Sequence, residues 1–459
     1  MTTQSDAAYL KRLGARILSE ANDLKRTPAA LAKELGIPFD TVELAIAGGA
    51  EPEAAEKILQ VMADTYPVSL SALWVERDDT ENGAKFMRAV QSTESSRVFD
   101  RPDRKGRLSP YYEYRDTAMS RAAPFKPEWI KELRFVDDSD PDNPDVAYNH
   151  GHLMHQQTFF IGEVNFYWKS GGRSRCAEMN TGDSNYITPF VPHSFTSRNP
   201  DKPGLIVAVT YAGQVRDAMN TFSQVGGDVI APYAGDLRDL KSVLGARLKR
   251  HLAAESLSAT EFKRRLTDAG LETRRAAELA DAAVIPNIEE FEILAGALNV
   301  RPADLMVTDM PLDQEVAIVS APEAVSRGYP SDSVPAYQLM EMARVRHQPQ
   351  LKGFDLRALP GNAGAQSPFR HMLHEYVYNY GDVPIDVLWN EDQSDQLQPG
   401  DSAYFRPLTA HCFANRNEVE GRLVIVRVPG QMSDAAIDEF AAFHPAGRER
   451  ALLENKSWF

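Results

Sequence analysis

One stretch occurs twice in this chain of 459 residues, and it limits the architecture more than any other feature. TGDSNYITPFVPHSF (181–195) lies over PGDSAYFRPLTAHCF (399–413), so that Gly182, Asp183, Ser184, Tyr186, Pro189 and His193 match Gly400, Asp401, Ser402, Tyr404, Pro407 and His411. Gly-Asp opens a tight turn and the proline closes a short excursion, so each copy reads as a hairpin ending on a histidine. Each copy sits among short alternating segments. TFFIGEVNFYW and GLIVAVTYAG flank the first, HEYVYNYGDVPIDVLW and GRLVIVRVPG the second. A helical stretch precedes each set: residues 1–78, with Thr27-Pro28 as an N-cap and first-turn pair, and residues 233–312. In the helical stretches Gly36 falls on Gly270 and Val68 on Val300. A long-period repeat of this kind means a duplicated domain rather than a solenoid.

The G-D-x-x-Y-x-x-P-x-x-x-H frame is the pattern of a cupin hairpin, whose last histidine points into a barrel. The expected fold class is therefore α+β: a helix-turn-helix-like α-helical domain followed by a cupin (double-stranded β-helix, jelly roll), present twice. The expected bounds are 1–78 helical, 79–232 cupin with a metal site, 233–312 helical, and 313–459 a second, structural cupin. In such a barrel the hairpin histidine meets ligands from an earlier strand. His152 and Gln156 are four apart, and strand alternation would turn both inward towards His193. Two imidazoles and one oxygen on one face of an ion leave open positions for substrate and dioxygen.

Charge and composition remove other classes. Lys and Arg total 50 against 65 Asp and Glu, a net charge of −15, the wrong sign for a protein that coats nucleic acid. Two cysteines exclude a disulfide scaffold and a cysteine-rich zinc module. No apolar run is long enough to span a membrane, and MTTQSDAAYLKRLG lacks a signal-peptide core, so a cytoplasmic protein with no membrane partner is expected. FDTVELAIAGG (39–49), the candidate recognition helix, has no cation, so no DNA binding is expected despite the helix-turn-helix-like domains. A homo-oligomer is compatible with all of this. Two rival classes stay open: a ligand-sensing cupin transcription regulator, and a metal-binding cupin of isomerase or storage type.

The doubled unit, with NHGHLMHQQ (149–157), YYEYRD (111–116) and GDSNYITPFVPHSF (182–195), resembles the phosphonate-processing non-haem iron oxygenases. These comprise hydroxyethylphosphonate dioxygenase, methylphosphonate synthase and hydroxypropylphosphonate epoxidase. The dioxygenase branch has an acidic ligand six residues before the hairpin histidine, where this chain has Ile187. The epoxidase branch has Glu where Gln156 stands, so His152, Gln156 and His193 match the synthase branch. The resemblance implies Fe(II) as cofactor, with 2-hydroxyethylphosphonate and O2 as partners. The products would be methylphosphonate with CO2 or bicarbonate, or in the alternative hydroxymethylphosphonate and formate. It further implies that Lys25 reaches from the helical domain into the cupin mouth, and that Asn149, Tyr112 and Tyr114 line the phosphonate pocket. His193 adjoins the substrate, and Gln156, Lys25 and Tyr114 serve the reaction. The pocket arginine is Arg104 by local text or Arg107 by spacing to Tyr114. A small hydroxyl residue of the dioxygenase falls on Ala208. His371, Glu375 and His411 form the corresponding set in the second cupin, expected to be vestigial, with Arg370 or Arg406 near enough to pair with Glu375.

Overall fold

The computed structural model describes residues 4–307, 315–362, 368–453 and 456–458. Two helical bundles and two jelly rolls alternate along it. In the first bundle, helices Gln4–Asp23, Pro28–Leu35, Phe39–Ile46, Pro52–Thr65 and Leu70–Leu73 close around Leu13, Ile17, Leu31, Val42, Ile58 and Met62. The Thr27 side chain accepts from the Ala30 backbone N–H, and the helix it starts stops at Gly36 in a left-handed turn. The second bundle begins at Leu240–Ala254 and repeats the device: Ser258 caps the helix Ala259–Asp268. Lys25 and Ser256, each two residues before its cap, both have positive φ, 60° and 52°. The duplication therefore extends to backbone conformation.

Among the described residues each jelly roll pairs a seven-stranded sheet with a three-stranded one, all antiparallel. The first large sheet runs in the order Val316–Val319, Ser184–Ile187, His155–Ile161, Leu205–Tyr211, Phe125–Glu132, Leu108–Asp116, Arg97–Pro102. Its small partner is Arg173–Met179, Val164–Ser170, His193–Ser197. The second large sheet runs Ala84–Met87, Ser402–Phe405, His374–Asn379, Gly421–Val428, Lys352–Ala358, Tyr337–Glu341, Ser326–Tyr329.

Period-two alternation divides these strands between two cores. In Leu205–Tyr211, Ile206 and Ala208 face the inside of the first barrel with Phe160, Phe166 and Phe195. Val207, Val209 and Tyr211 face outward, against Tyr376, Tyr378, Tyr404, Val424 and Val426 of the second large sheet. The two jelly rolls are thus joined back to back through a continuous apolar layer.

The edge strands do not follow the expected domain bounds. Ala84–Met87, within the stretch assigned to the first cupin, pairs with Ser402–Phe405 of the second. Val316–Val319, within the stretch assigned to the second, pairs with Ser184–Ile187 of the first. The boundary expected at 312/313 lies outside the described residues. Among the described residues no helix is long and apolar enough to cross a membrane.

Candidate active site

The strands Leu108–Asp116, Phe125–Glu132, His155–Ile161 and Leu205–Tyr211 line a cavity of about 320 Å3 in the mouth of the first barrel. His152, Gln156 and His193 all border it. His193 opens the strand His193–Ser197, as the hairpin frame predicts. His152 corrects the sequence reading, because the strand begins only at His155 and His152 lies in the preceding loop. That loop is shaped by Gly151, at φ 73°, where a Cβ would lie 2.5 Å from the Phe190 backbone carbon. The close approach lets the Phe190 N–H bond to the His152 carbonyl at 2.9 Å, locking the loop onto the hairpin.

Backbone contacts set both imidazoles. His152 Nδ1 lies 3.1 Å from the Met154 carbonyl and His193 Nδ1 2.8 Å from that of Val191. A carbonyl only accepts, so each Nδ1 carries the proton and each Nε2 keeps its lone pair. Burial pushes the His193 imidazole down to about 4, so it is neutral near pH 7. The Gln156 amide nitrogen donates to Thr158 Oγ1 at 2.9 Å, which leaves Oε1 turned to the histidines, 3.2 Å from His152 Nε2. An acceptor oxygen facing an acceptor nitrogen is a donor set waiting for a cation, and two imidazoles with an amide oxygen suit Fe(II). The Met154 and Val191 carbonyls and the Thr158 hydroxyl hold the three side chains in the orientation such ligands need. The residues therefore fit the implied metal. Ile187 pairs with Gln156 across the sheet and is buried, offering no ligand.

Donors for an anion surround this set. Asn149 Oδ1 accepts from the Gly151 and His193 backbone N–H groups, both at 2.9 Å, so its Nδ2 is the donor end, and it donates to the His193 Nε2 lone pair at 3.0 Å. Tyr112 and Tyr114 share one face of their strand and both line the cavity. The Tyr112 hydroxyl is committed, 3.2 Å from Ser194 Oγ and accepting from the Phe195 N–H. Burial raises the Tyr114 phenol above its usual value, so it remains a proton donor.

The arginine assignments are corrected. Arg104 is paired with Asp145 and Arg107 with Asp103, both on the exposed tip of the hairpin, and neither lines the cavity. Arg97 and Arg101 line it instead. Arg97 is held by Asp116 at 2.8 Å. Arg101 is half-buried, and among the described residues its guanidinium has no hydrogen bond or ion pair. The hydroxyl assignment shifts as well: Ala208 faces the barrel interior, while Thr210 lines the cavity opposite Gln156 in the sheet. Glu128 is a lining residue that the sequence reading missed, its carboxyl raised by burial. Lys25 is not brought to the cavity. Its Nζ lies 4.3 Å from the Trp458 ring centroid and 3.3 Å from the Asn22 carbonyl oxygen.

In the second barrel His371, Glu375 and His411 converge, with their ligand atoms within 4.8 Å of one another. Neither guanidinium expected beside Glu375 is there. Arg406 pairs with Asp78, and it is Arg427 whose Nε donates to Glu375 Oε2 at 2.5 Å.

These features have close counterparts. Over 458 residues, 98% of this chain and 96% of the relative, the sequence is 35% identical to the methylphosphonate synthase of Nitrosopumilus maritimus (strain SCM1). The chain belongs to the methylphosphonate synthase family. The solved structure of HEPD from Streptomyces albus, with its substrate 2-hydroxyethylphosphonate and Fe(II) bound, matches with a TM-score of 0.87 at 34% identity, covering 99% of this chain and 100% of that one. The (S)-2-hydroxypropylphosphonic acid epoxidase of Streptomyces wedmorensis is 29% identical over 103 residues, 22% of this chain and 49% of the epoxidase. No family model matches the chain.

Proposed function

We propose that this protein is a non-haem iron(II), O2-dependent oxygenase that breaks the carbon–carbon bond of 2-hydroxyethylphosphonate, giving methylphosphonate and CO2 or bicarbonate. The observation that carries this reading is the neutral Gln156 completing a His152/His193 face, in a chain similar over its whole length to a methylphosphonate synthase. Fe(II) held by these three side chains supplies open coordination positions for substrate oxygens and for O2. The substrate itself supplies the four electrons that reduce O2, so no cosubstrate is required.

The chain's own residues place and shield the substrate. Arg101 and the Asn149 amide donate to the phosphonate oxygens, with Tyr114 adding a phenolic donor. Thr158 keeps the Gln156 amide turned so that its oxygen faces the histidines, where it would help hold Fe(II). Tyr112 is locked to Ser194 and forms a fixed wall. Ile130 and Phe195 exclude water from the reacting carbons.

The alternative reaction, to hydroxymethylphosphonate and formate, consumes the same substrate and O2, and its products have the summed composition of methylphosphonate, CO2 and one water. It is favoured by the likeness to HEPD. A phosphorus NMR spectrum after adding O2 and 2-hydroxyethylphosphonate to anaerobically iron-loaded protein separates them. A methylphosphonate signal is expected. Hydroxymethylphosphonate alone assigns the dioxygenase reaction, and unchanged substrate refutes both. We also propose action in the cytoplasm without a nucleic-acid partner. The helix Phe39–Ile46 has no cation, and in its counterpart Thr273–Ala280 Arg274 and Arg275 are paired with glutamates.

A further inference from the structure

The second cupin presents a contradiction in its residues. His371, Glu375 and His411 are a more ordinary metal-binding set than the His-Gln-His of the first barrel, since carboxylate is the commoner oxygen ligand. The support of its imidazoles is also intact. His371 Nδ1 lies 3.0 Å from the Leu373 carbonyl and His411 Nδ1 2.9 Å from that of Thr409, repeating the contacts of His152 and His193. Leu408 even repeats the backbone bond of Phe190, its N–H reaching the His371 carbonyl at 2.8 Å. Besides the carboxylate itself, a strand position beside it differs.

Glu375 is opposite Arg427 in the sheet, as Gln156 is opposite Thr210. Thr210 is short and leaves the first cavity open beside its ligands. Arg427 reaches across, and its Nε sits 2.5 Å from Glu375 Oε2. The guanidinium is held in place by two rings, 5.3 Å from the centroid of Phe354 and 5.1 Å from that of Phe369. Glu375 is fully buried, and its two oxygens are engaged by Arg427, His371 and His411.

We propose that the second cupin is a latent divalent-metal site locked by Arg427, whose guanidinium supplies the positive charge that a bound ion would otherwise bring to Glu375. The lock acts in two ways. It occupies a carboxylate oxygen, and it sets a fixed cation beside the place where a second, doubly charged one would have to enter. The pairing is consistent within the chain. The barrel with a neutral amide has a hydroxyl at the strand position opposite, and the barrel with a carboxylate has a guanidinium there.

Cobalt(II) content of the full-length protein tests this. His193→Ala serves as background because it removes a ligand of the first site only. That background protein is expected to retain no cobalt after desalting. Adding Arg427→Thr, which copies the first barrel, should restore about one equivalent with the visible absorption of a protein-bound Co(II), and adding His411→Ala to that variant should abolish it. Arg427→Met, which keeps the bulk and drops the charge, provides a second opening if the threonine variant does not fold. Failure of both opened variants to gain cobalt, with unchanged circular dichroism, overturns the lock. So does an equivalent already present in His193→Ala and lost with His411→Ala, for then the site was never closed. Cobalt that persists through both histidine changes belongs elsewhere and counts against the first-site ligands, with the Arg427 comparison still decided by the gain on opening.

Discussion

Arg101 offers the sharpest test of how this cavity holds an anion. Its guanidinium lines the cavity, and among the described residues it makes no hydrogen bond or ion pair, so a phosphonate would be its first partner. A charge-assisted hydrogen bond is worth about 1.5–3 kcal/mol when well shielded. Arg101 is only half-buried, so screening by water reduces two such bonds to about 2–3 kcal/mol in all. Arg101→Ala is therefore expected to lower kcat/KM by about 30- to 150-fold. Most of that should appear in KM, because the phosphonate group is held alike before and during the reaction. Initial rates of methylphosphonate formation by phosphorus NMR, over a range of substrate concentrations, measure the effect. Arg104→Ala and Arg107→Ala are the controls, since these side chains are engaged by Asp145 and Asp103. They should stay within about twofold of the wild type. An unchanged KM in Arg101→Ala, or an equal loss in either control, would refute the assignment.

Other perturbations probe the metal face and stability. Gln156→Glu should keep iron, measured by metal analysis, and move the product towards hydroxymethylphosphonate in the phosphorus spectrum; loss of iron contradicts the assigned face. Thr158→Val removes the acceptor that orients the Gln156 amide, so iron affinity should fall about 10- to 100-fold in a chelator competition, and wild-type affinity would mean the contact is idle. Asp355 is buried, and desolvation raises its carboxyl to about 6 from the ordinary 3.8. A raised carboxylate lends its full stability below the unfolded value and loses it as pH rises through the folded one. Wild type should thus lose up to about 3 kcal/mol between pH 4 and 6 from this group, whereas Asp355→Asn should not. Urea melts at pH 4 and pH 8 check the sign: the variant should gain on wild type at the higher pH.

What could be read from the sequence was whatever repeats locally. The Gly-Asp turn and the proline fix a hairpin wherever they occur, so both histidine positions and both barrels followed from the text alone. His152 was found for a partly wrong reason. It is four residues from Gln156, but it reaches its neighbour from a loop packed on Phe190, not by strand alternation. The arginines could not be counted out along the chain, because the pairing of Arg97–Pro102 with Leu108–Asp116 slips by one residue between Phe99 and Asp100. Spacing measured from Tyr114 therefore pointed to the hairpin tip. Ala208 and Thr210 share a face two residues apart, and alternation gives the face but not the depth. Arg427 escaped notice because its partner is on a neighbouring strand fifty-two residues away in sequence.

The exchanged edge strands have a consequence for how such a chain can evolve. Each barrel borrows its outermost strand from the segment that enters the opposite half. The exchange is mutual, so the two halves hold each other's sheet edges within one molecule. The half with the locked ligand set is then no passenger. Deleting it would strip the first barrel of a sheet edge and expose the layer of Val207, Val209 and Tyr211 to water. Natural selection is free to change the chemistry of the second barrel but must preserve its scaffold, which gives a reason for buried, well-supported ligand residues to persist there.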